Sequence, residues 1–262
     1  MLHGKLAYTT SSVLHILDLA DGNVTVYAEG GRTAFPSWHP SGQQIASGVS
    51  QVTIFDLQTH QLTLASREEI VANYPAWHPS GGMLAFDVKM PNDDGFYFQA
   101  FEERVEFSLP LPFPAFQLDW HPNGREIAFV GIVNNNKHIF KLDMGCLQTQ
   151  DCPQRVQQLT TIGRFNHAPA WSPDGTTIAF EHYLAAENRW VIMLMDADGG
   201  NLRRLSDAEG NDHHPTWGPD NWIAFERHTP QGCFLFAVRA DGSGLQKLTD
   251  TPAFEPAWWY PR

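Results

Sequence analysis

Short runs along the whole chain alternate apolar and polar positions with a period of two, as in Val52-Thr53-Ile54-Phe55-Asp56-Leu57 and His138-Ile139-Phe140-Lys141-Leu142-Asp143. Period two is the signature of strands with distinct faces, and it excludes a helical solenoid, whose apolar residues recur at i, i+3, i+4 and i+7. The alternating runs fall into a repeat of about 40 residues punctuated by Ser-Gly, Asn-Gly and Asp-Gly turns. Five copies pair a Trp module with an Ile/Leu-Ala module: Pro36-Ser37-Trp38 with Ile45-Ala46-Ser47, Pro75-Ala76-Trp77 with Leu84-Ala85-Phe86, Trp120 with Ile127-Ala128-Phe129, Pro169-Ala170-Trp171 with Ile178-Ala179-Phe180, and Pro215-Thr216-Trp217 with Ile223-Ala224-Phe225. The sixth copy is split between the ends, with Leu6-Ala7-Tyr8 near the start and Pro256-Ala257-Trp258 near the finish.

Each repeat parses into four strands: Pro-x-Trp (A), Ile-Ala-Phe (B), an apolar run often ending in Asp (C), and a short run ending in Leu-Thr (D), as at Leu159-Thr160 and Leu248-Thr249. A ring of such units is predicted to close by completing its first sheet with the last strand, which hides two free edges in one set of hydrogen bonds. The pattern therefore predicts an all-β, six-bladed β-propeller of four-stranded antiparallel blades, one domain over 1–262. The blades are expected at about 1–28 plus 254–262, 33–66, 72–109, 115–160, 166–206 and 212–249.

The repeat resembles the TolB-type propeller repeat, roughly Pro-x-Trp-Ser-Pro-Asp-Gly-x-x-Ile-Ala-Phe, then a strand ending in Asp, then Leu-Thr. Residues 167–180 are the nearest copy; the third repeat lacks the strand-C Asp, and the fourth has Leu118 in place of Pro. No Gly-His…Trp-Asp pairing and no paired-Gly signature of other propeller repeats recurs. TolB itself carries an additional amino-terminal α/β domain that this chain has no room for. The resemblance implies the propeller and, as in TolB-like propellers, a protein segment or peptide as partner; fold alone does not determine function.

Charge narrows the partners. Against 29 acidic residues stand 17 basic ones, a net charge of −12, so nucleic-acid backbones are repelled. No apolar run is long enough to span a bilayer as a helix, and Met1-Leu2-His3-Gly4 leads into a strand with no signal-peptide pattern. Cys146 and Cys152 sit in an insertion between strands C and D of the fourth blade. A disulfide there would stiffen the loop and place the protein in an oxidising compartment, periplasmic or extracellular, whereas two free thiols would suit a cytosolic loop; Pro153 favours the bridge. Cys233 reads as a small packing residue.

Motifs for a serine-hydrolase elbow, a phosphate loop, a dinucleotide fold or an HExxH zinc helix do not occur. His39, His78 and His121 follow the module Trp in three repeats, which suits a turn or capping role. The strand-A entrances, by contrast, differ between blades. In blades five, six and one they gather Arg164, His167, Glu181, His182, His213, His214, Glu226, His228 and Glu255 on what is conventionally the top face; in blades two to four they carry Phe35, Tyr74, Phe113, Phe116 and Gln117, with Asp93 and Asp94 in a longer loop. A symmetric A–B hairpin would set His214 opposite Glu226 and His167 opposite His182. His167 and His213 occupy equivalent places in adjacent blades and are candidate ligands for a divalent metal ion. Two functions fit: a non-enzymatic module that binds a protein segment or peptide through the top rim and axial channel, which leads, and a metal-dependent propeller enzyme, lyase-like or hydrolytic, using the His/carboxylate rim.

Overall fold

A computed structural model describes residues 2–27, 33–67, 71–89, 95–102, 104–109, 111–206 and 210–261; Asp93 and Asp94 lie outside them. The described strands form six four-stranded antiparallel sheets. In the first, Phe254–Trp259 pairs with Lys5–Thr10, which pairs in turn with Val13–Asp18 and Val24–Tyr27, so a strand from the end of the chain completes the sheet from its beginning. The other five sheets each use consecutive strands, entered from a strand A at Ser37–Trp38, Val71–Trp77, Ala115–Trp120, Asn166–Trp171 or Asn211–Trp217. The six-bladed propeller expected from the repeat is the fold.

Why the triplet must read bulky, small, bulky follows from the seams between blades. Side chains alternate across a strand, so the first and third residues of the triplet face one neighbouring blade and the Ala faces the other. At the seam between blades five and six, Trp217, Ile223 and Phe225 pack against Ala179, Ile192 and Leu194; between four and five, Trp171, Ile178 and Phe180 pack against Ala128, Val130 and Ile139. Every Ala of the triplet is fully buried. The closing seam is built the same way, Leu6, Tyr8 and Trp258 meeting Ala224, Leu235 and Ala237.

The hydroxyl that ends strand D fastens the sheet. Oγ of Ser66, Oγ1 of Thr160, Oγ of Ser206 and Oγ1 of Thr249 accept the N–H groups of Val52, Ile139, Ile192 and Leu235 on strand C. The insertion of the fourth blade folds into two single-turn helices, Cys146–Thr149 and Cys152–Arg155, and Cys146 and Cys152 are joined by a disulfide that packs into the adjacent core.

The turn histidines tie blade to blade. His78 Nδ1 accepts the N–H of Ser80, which leaves the ring proton on Nε2 to donate to the Gly124 carbonyl of the next blade at 3.0 Å, while the ring stands edge-on to Trp120. His39 and His121 repeat these contacts with Gly81 and Trp77, and with Gly175 and Trp171. The turn glycines are thereby explained twice over. Each has a positive φ, and a Cβ would lie 2.5 Å from His39 Nε2 at Gly81, 2.5 Å from His78 Nε2 at Gly124 and 2.2 Å from His121 Nε2 at Gly175. Where the preceding blade offers only Ser172, the equivalent turn position holds Asn221, still at φ 60°.

Candidate functional site

The site begins with a backbone irregularity. At the residue three before the module Trp, the A–B ladder skips in five blades, and the chain enters the left-handed region in all six: Phe35 (φ 51°), Tyr74 (47°), Gln117 (53°), Ala168 (45°), His214 (48°) and Glu255 (56°). Five of the six precede Pro, a context that disfavours helical dihedrals, and single non-glycine residues in this region cost about 1–2 kcal/mol each. These six residues line the top of an axial cavity of about 540 Å³, whose walls are the Pro-x-Trp modules.

The bulge also corrects the expected register. His213, not His214, stands opposite Glu226, and His167 stands opposite Glu181 while His182 faces Asn166. The extra residue shifts pairing by one beyond the module, which a symmetric hairpin does not anticipate.

Each bulge exposes an N–H, and acidic or amide side chains take up most of them across the seams. Asp87 accepts the Gln117 N–H, Gln117 Oε1 that of Ala168, Glu181 that of His214 at 2.8 Å, Glu226 that of Glu255 at 2.6 Å, and Glu255 that of Phe35 at 2.9 Å. Glu181 and Glu226 are thus buried clamps of the ring as well as members of the rim.

Their charge is balanced by histidine. His214 Nδ1 lies 3.2 Å from Glu226 Oε1 and its Nε2 3.9 Å from Glu181 Oε1, while His213 Nδ1 is 3.1 Å from Glu181 Oε2 and His228 Nε2 is 3.0 Å from Glu226 Oε1. Burial alone would lower the His214 pKa, but Glu181, Glu226 and Glu255 outweigh it and lift it to about 9. Burial likewise opposes ionisation of Glu226, yet its His partners and the Glu255 N–H hold it well below the usual carboxylate range. Glu255, with fewer compensating donors, is pushed upward by burial. A buried Asp212–Arg227 pair, at 2.6 Å, sits beside this cluster.

The remaining expected site residues separate by environment. His167 is driven down to about 4 by burial and rests against Phe116 and Trp190. Trp190 also packs on His213, at 5.5 Å between ring centroids, so an indole contacts both of the histidines considered for a metal ion. His182 is buried and hydrogen-bonded to Asn166. Arg164 is exposed and donates to Asn136. Tyr74 packs on Phe35 with ring centroids 4.1 Å apart and the planes tilted by 39°, and burial followed by the nearby Asp87 raises its hydroxyl to about 12.

The rings form an arc. Phe116, His167, Trp190, His213, His228 and Phe254 follow one another at centroid spacings of 5.7, 5.2, 5.5, 5.2 and 6.1 Å, spanning blades four, five, six and one. Toward the channel, His214 contacts Phe35, and Phe35 contacts Tyr74. Trp190 was missed by sequence reasoning; its signal was a Trp at the start of strand C, outside the Pro-x-Trp module where the repeat places this residue.

Six four-stranded blades around an open channel, closed by a strand from the other end of the chain, define a β-propeller with its polar and aromatic specialisation at one mouth. The chain belongs to the TolB beta propeller domain family, which matches residues 113–259. It is 33% identical over 92 residues to an uncharacterized protein of Agrobacterium fabrum, covering 35% of this chain and 30% of that protein. It is also 33% identical over 117 residues to the Tol-Pal system protein TolB of Anaeromyxobacter dehalogenans, covering 43% of this chain and 26% of that protein. These matches therefore span under a third of either relative's length. The solved structure of TolB from Acinetobacter baumannii superposes with a TM-score of 0.82 at 20% identity, over 97% of this chain and 66% of that one. A chain of a nidogen/laminin complex reaches 0.76 at 8% identity, over 98% of this chain and 99% of that one, so likeness at this level reports the fold alone.

Proposed function

We propose that this propeller is a non-enzymatic recognition module that holds a peptide or protein segment across its top rim and channel mouth. The carrying observation is the arc of six rings running from Phe116 to Phe254 beside the cluster of Glu181, Glu226 and Glu255. Aromatic faces supply contact area at low conformational cost and attract cations. The carboxylates and the net charge of −12 favour a segment bearing Lys or Arg beside apolar side chains. No Lys or Arg is among the described residues lining the axial cavity, and the charge of the protonated His214 there is met by Glu181 and Glu226. Clamps that fix the bulges before binding keep the ordering cost low. The resemblance to TolB, a protein of the Tol-Pal system, supports a protein partner, and the Cys146–Cys152 disulfide supports an oxidising compartment outside the cytosol.

The test is capture from extract of the source organism followed by titration of the isolated partner. His167→Ala with Trp190→Ala, checked for folding by circular dichroism, should weaken binding at least ~10-fold, while Gln43→Ala, on the opposite side of the ring, should leave it unchanged. Equal affinity for all three proteins would overturn the assignment.

A further inference from the structure

We propose that Glu226, His228 and Cys233 form a zinc-binding site in the seam between the sixth and first blades. The hairpin register brings them together. His228 and Cys233 are direct cross-strand partners, which places both side chains on one face of the sheet, and Glu226, two residues before His228, shares that face. One ligand atom from each residue lies within 4.8 Å of those of the other two. Only small side-chain adjustments separate this from the roughly 2.0–2.3 Å bonds of a tetrahedral zinc centre.

The donor set selects the ion. Thiolate, imidazole and carboxylate together suit Zn²⁺, whereas Ca²⁺ and Mg²⁺ take oxygen ligands. The charges also suit the surroundings: Glu226 and Cys233 are both buried, and a carboxylate and a thiolate offset the two charges of the ion, so that uptake of Zn²⁺ with release of the Cys233 proton adds one positive charge to a seam where Glu226 and Glu255 stand together. On binding, the Cys233 S–H bond breaks, its proton leaves to solvent, and a sulfur–zinc bond forms; the contact of His228 with Glu226 is replaced by bonds from each to the metal.

A supporting contact holds the carboxylate in place. Glu226 Oε2 accepts the Glu255 N–H, leaving Oε1 toward His228. Such an outer contact orients a ligand. In the metal-free protein the Cys233 S–H donates to the Ala253 carbonyl at 3.3 Å, a hydrogen bond given up with the proton when the metal binds. His228 is the half-exposed member and provides the way in from solvent. The site borders Ala253, Phe254 and Glu255, where the terminal strand closes the ring, so an ion there would pin the closure. It shares Glu226 with the peptide-binding rim but stands on different geometry, and either assignment survives failure of the other.

The cysteine inventory makes the test specific. Of three cysteines, two are in the disulfide, and Cys233 alone is a free thiol. Full-length oxidised protein, stripped with chelator and dialysed, should take up one Zn²⁺ per chain by calorimetry and elemental analysis, with a rise in melting temperature. Substitution by Co²⁺ should give a near-ultraviolet sulfur-to-cobalt charge-transfer band that only Cys233 can supply. His228→Ala and Cys233→Ser, checked for folding by circular dichroism, should each lower Zn²⁺ affinity at least roughly 10–100-fold, the loss typical of even an outer-shell partner, and Cys233→Ser should abolish the band. Gln43→Ala, on the opposite side of the ring, should leave both readouts unchanged. Absence of stoichiometric Zn²⁺, a Co²⁺ spectrum without the sulfur band, or binding that survives the His228 and Cys233 changes would overturn the site.

Discussion

Replacing Gly124 by Asn isolates the coupling between one blade's turn histidine and the next blade's turn glycine. Gly124 has φ 69°, a conformation that Asn tolerates better than other non-glycine residues. The backbone cost of the change is therefore small, and the side chain becomes the problem: its Cβ would lie 2.5 Å from His78 Nε2 and 2.7 Å from Cε1. His78 has to swing away. It then forfeits the hydrogen bond to the Gly124 carbonyl, about 0.5–1.5 kcal/mol, and the edge contact with Trp120, about 0.5–1.5 kcal/mol. The expected destabilisation is about 2 kcal/mol, or a melting temperature lower by roughly 4–8 °C for a domain of this size. In a His78→Ser background the same substitution should cost under about 0.5 kcal/mol, because the ring already carries Ser172 at the position of His78 in the fifth blade and Asn221, at φ 60°, at the position of Gly124 in the sixth. Denaturant titration of wild type, both single variants and the double variant closes the cycle. Additivity within about 0.5 kcal/mol would refute the steric coupling, and with it the reason given for the turn glycines.

Three further outcomes are expected. Deleting residues 254–262 removes the strand that hydrogen-bonds Lys5–Thr10 and takes Trp258 out of the closing seam; the loss in unfolding free energy should exceed the roughly 3–5 kcal/mol of a single Trp truncation, and a truncated protein that melts with the full-length chain would refute the closure. Exchanging both Cys146 and Cys152 for Ser opens a loop of sequence separation 6 and should cost about 2 kcal/mol, read by thermal unfolding with and without reductant; no difference would show that the disulfide carries no stability. His167 is held near 4 by burial, against 6.5 when unfolded, so the unfolded chain binds the proton more readily, and stability present above about pH 6.5 should be lost as pH falls toward 4. After allowance for partial exposure this amounts to about 2 kcal/mol, and His167→Phe should flatten that limb of the stability profile; an unchanged profile would show the imidazole to be solvated.

Much of this architecture was legible because it repeats. Folding imposes the same requirements at six seams, so the Trp, the bulky-small-bulky triplet, the Leu-Thr ending and the split first sheet all recur as sequence patterns. The candidate rim was legible for the opposite reason: residues under no common packing constraint diverge, and His213, His214 and Glu226 stood out against the blades that carry Phe35 and Tyr74. The turn histidines were visible as a set, but their partners were not, since His78 and Gly124 are separated by 46 residues and only the ring sets them in contact.

The sequence by itself determined the fold class, the number of blades and the mode of closure, all of which rest on local alternation and repetition. Tertiary structure decided the rest. The bulge before each module shifts the register by one, a consequence of backbone dihedrals at Tyr74, His214 and their equivalents that residue types do not announce. It converts Glu181 and Glu226 into acceptors for a neighbouring blade's N–H groups and brings Trp190 between rows of histidine. The regular hairpin of the sixth blade sets Cys233, an unremarkable packing residue in the linear chain, beside a carboxylate and an imidazole. Burial and charge at a site are set by which blades adjoin, and that is a property of the closed ring.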